Sequence, residues 1–311
     1  MIEGIRRLAS RARGRAVVRG IGDDCAILQI KPGQQLLVTT DLCVENVHFR
    51  RPWHPARSVG HRCLTRGVSD IAAMGGEPLA CFLSLGLPAR LPQRWVNDFL
   101  EGLTALARRF HVELAGGDIS SAKEVVADII VIGQIPADRA VLRSGARPGD
   151  RVYVTGELGG SGKVLQRLFA GERVRASTGD RHFYPEPRVQ VGQWLRRRKL
   201  VTAMIDISDG LSVDLHHICE ESRVDAVISG AAVPVSPGAT FDLALDSGDD
   251  YELLFTARPK TRIPSRIGGV KITEIGVIRR SLRAPAITLS DSAGRSRRLK
   301  PRGWQHFSEK R

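Results

Sequence analysis

The chain has 311 residues, 42% of them hydrophobic, 26% charged and only 5% aromatic, with a formal net charge of +14. That length suits a sizeable core shared between two domains; no window approaches the roughly 18 consecutive apolar residues of a membrane span, and no apolar stretch follows the basic N-terminus as in a secretory signal. The expectation is a cytoplasmic protein with no membrane partner. The Arg and Lys residues concentrate in "RRLASRARGR", "RSRRLKPR" and "LRRRK" without interleaved aromatics, which argues against nucleic acid as a partner and for a solvated basic surface suited to anionic ligands. Five cysteines with no close pair predict reduced, mostly buried thiols rather than a disulfide framework or a zinc ribbon.

In chain order, "QQLLVTTDLCVE" (34–45) is β-branched and apolar and predicts a strand ending near Asp41. In 55–76, Val59, Cys63, Leu64, Val68 and Ile71 recur at helical spacing before a glycine pair, which predicts a helix. A short apolar strand (78–88) follows. Trp95, Phe99, Leu103, Leu106 and Phe110 then mark a second helix, and "VELAGGD" and "VADIIVIGQIP" read as strands. This alternation gives an α/β first half. The Pro and Gly density of "RSGARPGD" (143–150) suits a boundary, so the chain divides into domains 1–137 and 138–311. The second half is also α/β: "RVYVTGELGG" is a strand entering a glycine-rich turn, "TAMIDIS" a strand and "DGLSVDLHHICEES" a helix, followed by strands in "VDAVISG", "DYELLFTA", "KITEIGVI" and "APAITLS".

"GELGGSGKV" (156–164) imitates a phosphate-binding Walker loop but has one residue too many between Gly156 and Gly162, and Val164 where a magnesium-binding hydroxyl belongs. It reads as a turn opening a helix. Carboxylates beside glycines or at strand ends are more informative: "GIGDDC", "TTDLC", "GVSDIAAMGG", "AGGDIS", "IDISDGL" and "SGDDYELLF". Each alone is a turn; together, repelling carboxylates require cations, and oxygen donors without His or Cys point to several Mg2+ ions. In "IDISDGL", Asp206 ends a strand, Ser208 is a good N-cap and Asp209 lies in the first helical turn, where free N–H groups attract an anion.

The stretches "GIGDDCAIL", "TTDLCVENVHF", "SDIAAMGGEP", "GGDIS", "RSGARPGD", "IDISDGLSVDL" and "SGDDYELLFT", in this order over nearly the whole chain, resemble the thiamine-monophosphate kinase family. That family is similar to aminoimidazole ribonucleotide synthetase and selenophosphate synthetase. The resemblance implies a two-domain α/β (α+β) fold whose N-terminal domain pairs in a homodimer, with ATP at a cleft between domains. It implies transfer of the ATP γ-phosphoryl to thiamine monophosphate. Carried over residue by residue, the metal positions are Asp24, Thr39, Thr40, Asp41, Asp70, Asp118, Asp206 and Asp209. The nucleotide positions are Thr39, Thr40, Phe110, Gly117, Asp118, Arg143 and Ser208, and catalysis falls to Asp209, Asp206 and Arg143. His48, Asp249 and Trp304 take substrate positions, with Asp249 standing where many relatives carry the longer Glu. Of the pair in "IGDDCAIL", Asp24 is the metal candidate and Asp23 a turn residue. Two other readings are a sister ATP-dependent synthetase and a non-catalytic basic nucleic-acid-binding protein.

Overall fold

A computed structural model describes residues 16–19, 27–177, 179–291 and 295–304. It contains two compact units: Met1–Ala72, Gly76–Arg139 and Val174–Val189 belong to the first, Ala73–Gly75, Ala140–Arg173 and Gln190–Arg311 to the second.

In the first unit a short antiparallel pair, β1 (Val17–Arg19) and β2 (Ile27–Leu28), precedes β3 (Gln34–Val44), α1 (Ala56–Ala73), β4 (Glu77–Leu87), α2 (Gln93–Phe110), β5 (Glu113–Ser121) and β6 (Val126–Pro136). The four long strands form one sheet in the order β3-β6-β4-β5, with β4 and β5 parallel and the other pairs antiparallel. β3 runs three residues past Asp41, because Leu42, Cys43 and Val44 still find partners in Asp128, Ala127 and Val126. Val59, Cys63, Leu64, Val68 and Ile71 of α1 are all buried, as their spacing requires. Segment 174–189 returns to this unit, although chain order placed it with the second half. Buried Phe183 anchors it, with a His54–His182 contact of 3.0 Å between Nε2 atoms and His61 Nε2 2.8 Å from the Pro185 carbonyl.

The second unit contains β7 (Arg151–Thr155), α3 (Gly160–Phe169), α4 (Val189–Arg197, entered from the first unit), β8 (Ala203–Asp206), α5 (Leu211–Ser222), β9 (Val224–Ser229) and α6 (Phe241–Asp246). It continues through β10 (Leu253–Ala257), β11 (Arg266–Ile267), β12 (Val270–Arg280), β13 (Ile287–Ser290) and β14 (Ser296–Leu299). Its sheet runs β14-β13-β9-β12-β7-β10-β8, with β11 on β12; β9 and β13 are parallel, the rest antiparallel. Alternate residues feed two cores: Val152, Val154, Ile205 and Leu254 pack with Leu211, Leu215 and Ile218 of α5, while Tyr153, Met204 and Phe255 pack with Val191 and Leu195 of α4. Residues 250–252, expected to start a strand, instead form an irregular segment that enters β10.

Among the described residues no helix is long and apolar enough to cross a membrane. Among the described residues Cys43, Cys63, Cys81 and Cys219 are buried thiols outside any disulfide, and burial pushes those of Cys81 and Cys219 up to about 12.

Candidate functional site

In the second unit the carboxylates gather around the turn between β8 and α5. Asp206 ends β8 and is buried. The helix starts at Leu211, with Gly210 as its N-cap and no side-chain cap, so Ser208 is not the N-cap and Asp209 precedes the helix. The reason is Asp214, one turn into α5. Its Oδ2 accepts the backbone N–H groups of Ser208, Asp209 and Gly210, each at 3.1 Å. The amides expected to attract an external anion are therefore taken by an internal carboxyl oxygen. Burial, then the nearby charges of Asp206 and Asp209, push the Asp214 carboxyl well above the usual carboxylate range, against the pull of those donors. Asp214 was not singled out in the sequence, where "SDGLSVDL" reads as ordinary helix; its four-residue spacing from Gly210 was the available signal.

The same turn supports two more expected site residues. The carbonyl of Ser208 accepts the N–H of Asp249 at 2.8 Å, and that of Asp209 accepts the N–H of exposed Trp304 at 3.1 Å. Such close approach demands glycine beside each: a Cβ on Gly248 would sit 2.2 Å from the Ser208 carbonyl oxygen, and one on Gly303 2.1 Å from that of Asp209. Asp206, Ser208, Asp209, Asp249 and Trp304 thus share one loop cluster. Arg143 is not joined to this cluster by any of these bonds: it is exposed, and its carbonyl accepts from Ser222 Oγ at 2.8 Å, at the end of α5.

Asp250, next to Asp249, is committed to the Walker-like loop. Its Oδ2 accepts Gly159 N–H at 2.7 Å at the start of α3, so a protein carboxylate stands where a phosphate would in a Walker loop. Lys163 donates to the Pro237 carbonyl at 2.8 Å. Burial raises the Asp250 carboxyl to about 7, although the Gly159 and Ser161 N–H groups pull it down.

In the first unit, strand alternation divides the "TTD" triplet. Thr39 and Asp41 face α1, where Thr39 Oγ1 donates to Asp70 Oδ2 at 2.5 Å and Arg66 Nη1 lies 3.3 Å from Asp41 Oδ1. Thr40 lies on the opposite face and donates to Asp128 Oδ1 at 2.9 Å. Asp128 pairs across the sheet with Ser84, and Ser84 with Asp118, so Thr40 shares its face with Asp128 and Asp118 rather than with its chain neighbours. Arg66 and Asp128 are additions to the expected set; their signal, a charge one strand or helix turn away, is not sequential. Gly117 is required because a Cβ there would meet the Leu83 carbonyl oxygen at 1.9 Å. Phe110 closes α2, half-buried, with the Arg109 guanidinium 5.7 Å from its ring centre.

His48 sits in the turn after β3. Its Nδ1 accepts the Val44 N–H at 3.0 Å, which leaves the neutral ring's proton on Nε2 and makes that atom a donor. Asp24 and Asp23 lie outside the described residues. Among the described residues no three His, Cys, Asp or Glu side chains converge as a metal cage. The expected donors that lie near one another, Thr39 with Asp70, and Asp206 and Asp209 on either side of Ser208, are all hard oxygens, the donor type suited to Mg2+.

The model of the AIR synthase related protein N-terminal domain matches residues 22–135, and that of the C-terminal domain residues 147–266. Thiamine-monophosphate kinase of Bacillus subtilis is 34% identical over 305 residues, 93% of each chain, and that of Salmonella typhimurium 38% over 277 residues, 84% of each. Among solved structures, thiamine-monophosphate kinase of Stenotrophomonas maltophilia superimposes with a TM-score of 0.81 at 32% identity, covering 92% of this chain and 94% of that one. AaThiL complexed with AMPPCP and TMP gives 0.78 at 30% identity over 97% and 96%. The hydrogenase maturation protein HypE in complex with ATP shares the fold, with a TM-score of 0.79 at 19% identity.

Proposed function

The chain belongs to the thiamine-monophosphate kinase family, and from that premise we propose how its own residues transfer the γ-phosphoryl of ATP to thiamine monophosphate, giving thiamine diphosphate and ADP. The observation that carries the assignment of roles is the 207–210 turn. Its side chains include Asp209, its preceding residue is Asp206, and its carbonyls hold the backbone of Asp249 and Trp304. One rigid element would thereby set the phosphate side and the thiamine side of the reaction in a common frame.

The acceptor is a phosphate monoester whose second pKa is about 6, so it is charged near neutrality and needs no general base. Catalysis then reduces to bringing two polyanions together in line. Asp206, Asp209, Asp70, Thr39 and Asp41, with Asp24, Thr40 and Asp118, supply oxygen donors for Mg2+; when bound, the ions neutralise phosphate charge. Arg143 adds a fixed positive charge for the nucleotide phosphates, and Ser208, Gly117 and Phe110 contact the nucleotide. His48 donates from Nε2 to the acceptor's phosphate, Trp304 stacks on the cationic thiazolium, and Asp249 accepts from the aminopyrimidine. Transfer is direct, with no phosphoenzyme.

A second copy of the chain completes the first unit. Leu36, Val38 and Leu42 on one face of β3 are 46%, 63% and 50% exposed, and half-buried Ile130, Ile132 and Phe82 extend that apolar face across β6 and β4. A homodimer buries it. A cytoplasmic setting suits an enzyme that draws on ATP.

The test is incubation with ATP, Mg2+ and thiamine monophosphate, with chromatography for thiamine diphosphate. Product is expected from the wild type and a drop of at least about 100-fold from Asp209→Asn. No product from the wild type refutes the function, and a labelled phosphoenzyme with ATP alone refutes direct transfer.

A further inference from the structure

Two non-glycine residues within three positions adopt the left-handed backbone: Asp249 at φ 63° and Tyr251 at φ 52°. Each is disfavoured for a residue with a Cβ and persists only where the surroundings over-determine it. Here both N–H groups are held by one neighbouring strand end, Asp249 by the Ser208 carbonyl at 2.8 Å and Tyr251 by that of Ile207 at 2.9 Å. Ile207 N–H in turn donates to the Glu252 carbonyl at 2.8 Å. The distortion brings the two side chains back together: the hydroxyl of Tyr251, itself buried, donates to Asp249 Oδ1 at 2.7 Å.

A core tyrosine needs a hydrogen-bond partner, and a carbonyl or water would serve. This one engages the single carboxylate that the proposed function places against the aminopyrimidine. A carboxylate has acceptor sites for several donors, so one short charge-assisted bond fixes the plane of the group without exhausting it. Asp has only two side-chain torsions, and with the backbone locked at φ 63° the hydroxyl determines where the oxygens lie.

We propose that Tyr251 is a positioning residue for substrate recognition, its hydroxyl orienting the Asp249 carboxylate toward the exocyclic amine of an aminopyrimidine. This rests on the thiamine-monophosphate reading. It predicts a selective effect: the hydroxyl governs affinity for the thiamine moiety and neither ATP affinity nor the phosphoryl-transfer step.

The experiment is a double-mutant cycle of wild type, Tyr251→Phe, Asp249→Asn and the double variant, measuring KM for thiamine monophosphate, KM for ATP and kcat, with melting temperatures for each. Tyr251→Phe keeps the buried ring. It should raise KM for thiamine monophosphate about tenfold, the size of a lost hydrogen bond to a charged group, with kcat within about twofold and KM for ATP unchanged. Added to Asp249→Asn it should have no further effect. Calorimetric titration with thiamine monophosphate alone should rank the four proteins in the same order. Additive effects, an unmoved KM, or equal losses for both substrates overturn the proposal while leaving the kinase reading intact. Absence of turnover by the wild type overturns both.

Discussion

Asp250→Asn tests the electrostatic account of the glycine loop. Asp250 is buried under the start of α3, accepts Gly159 N–H at 2.7 Å, and has its carboxyl raised from 3.8 to about 7, chiefly by burial. A carboxyl raised on folding means that the folded protein holds a proton the unfolded chain has released between those two values. Stability therefore falls as pH rises through that interval and stays low above it. The interval corresponds to on the order of 4 kcal/mol, and the part between pH 5 and pH 7 to about 2–3 kcal/mol. Asparagine is nearly isosteric, can still accept from Gly159 N–H through its carbonyl oxygen, and does not titrate. Urea denaturation of both proteins at pH 5, 6, 7 and 8, followed by circular dichroism and tryptophan fluorescence, gives the difference in stability at each pH. Contributions common to both proteins cancel, including any from Asp214. Relative to its own value at pH 5, the variant should gain about 2–3 kcal/mol on the wild type by pH 8, with most of the change below pH 7. Parallel pH profiles, or a gap that moves in the opposite direction, would refute the reasoning.

Three further outcomes follow from the geometry. Asp214→Ala leaves the N–H groups of 208–210 without their shared acceptor; stability should fall by about 1–3 kcal/mol, amide exchange at those residues should quicken, and kcat should drop at least about 100-fold, whereas Asp214→Asn should keep most of the stability. His48→Ala should raise KM for thiamine monophosphate about tenfold or more while KM for ATP stays level in steady-state kinetics; equal effects on both would remove His48 from the acceptor side. Val38→Asp puts a charge on the exposed apolar face of β3, and sedimentation velocity should show a dimer for the wild type and a monomer for the variant; a variant that stays dimeric would locate the interface elsewhere.

Much of the architecture was legible because burial imposes a period. The apolar spacing of α1 and α2, the β-branched runs of β3 and β6 and the apolar run of β4 needed no tertiary information. The ends of elements were less legible. β3 overran its expected end because a paired strand continues while its partner does, and α5 began late because Asp214 holds residues 208–210 in a turn. Segment 174–189 joined the first unit through Phe183, His182 and Pro185, contacts that chain order does not encode.

By itself, the sequence determined that this is a two-unit α/β chain whose carboxylates collect at glycine turns and strand ends, and its motifs in order identified the family. Tertiary structure decided which of those carboxylates share a surface. Thr40 parted from Thr39 and Asp41 because successive strand residues face opposite ways, and it met Asp128 instead. Asp214 and Asp250 proved to be internal acceptors for backbone N–H groups, because an amide buried at a turn or helix start must be paired by whatever folds beside it. Tyr251 reached Asp249 only through two left-handed residues, a conformation that nothing in "SGDDYELLF" announces and that neighbouring carbonyls impose.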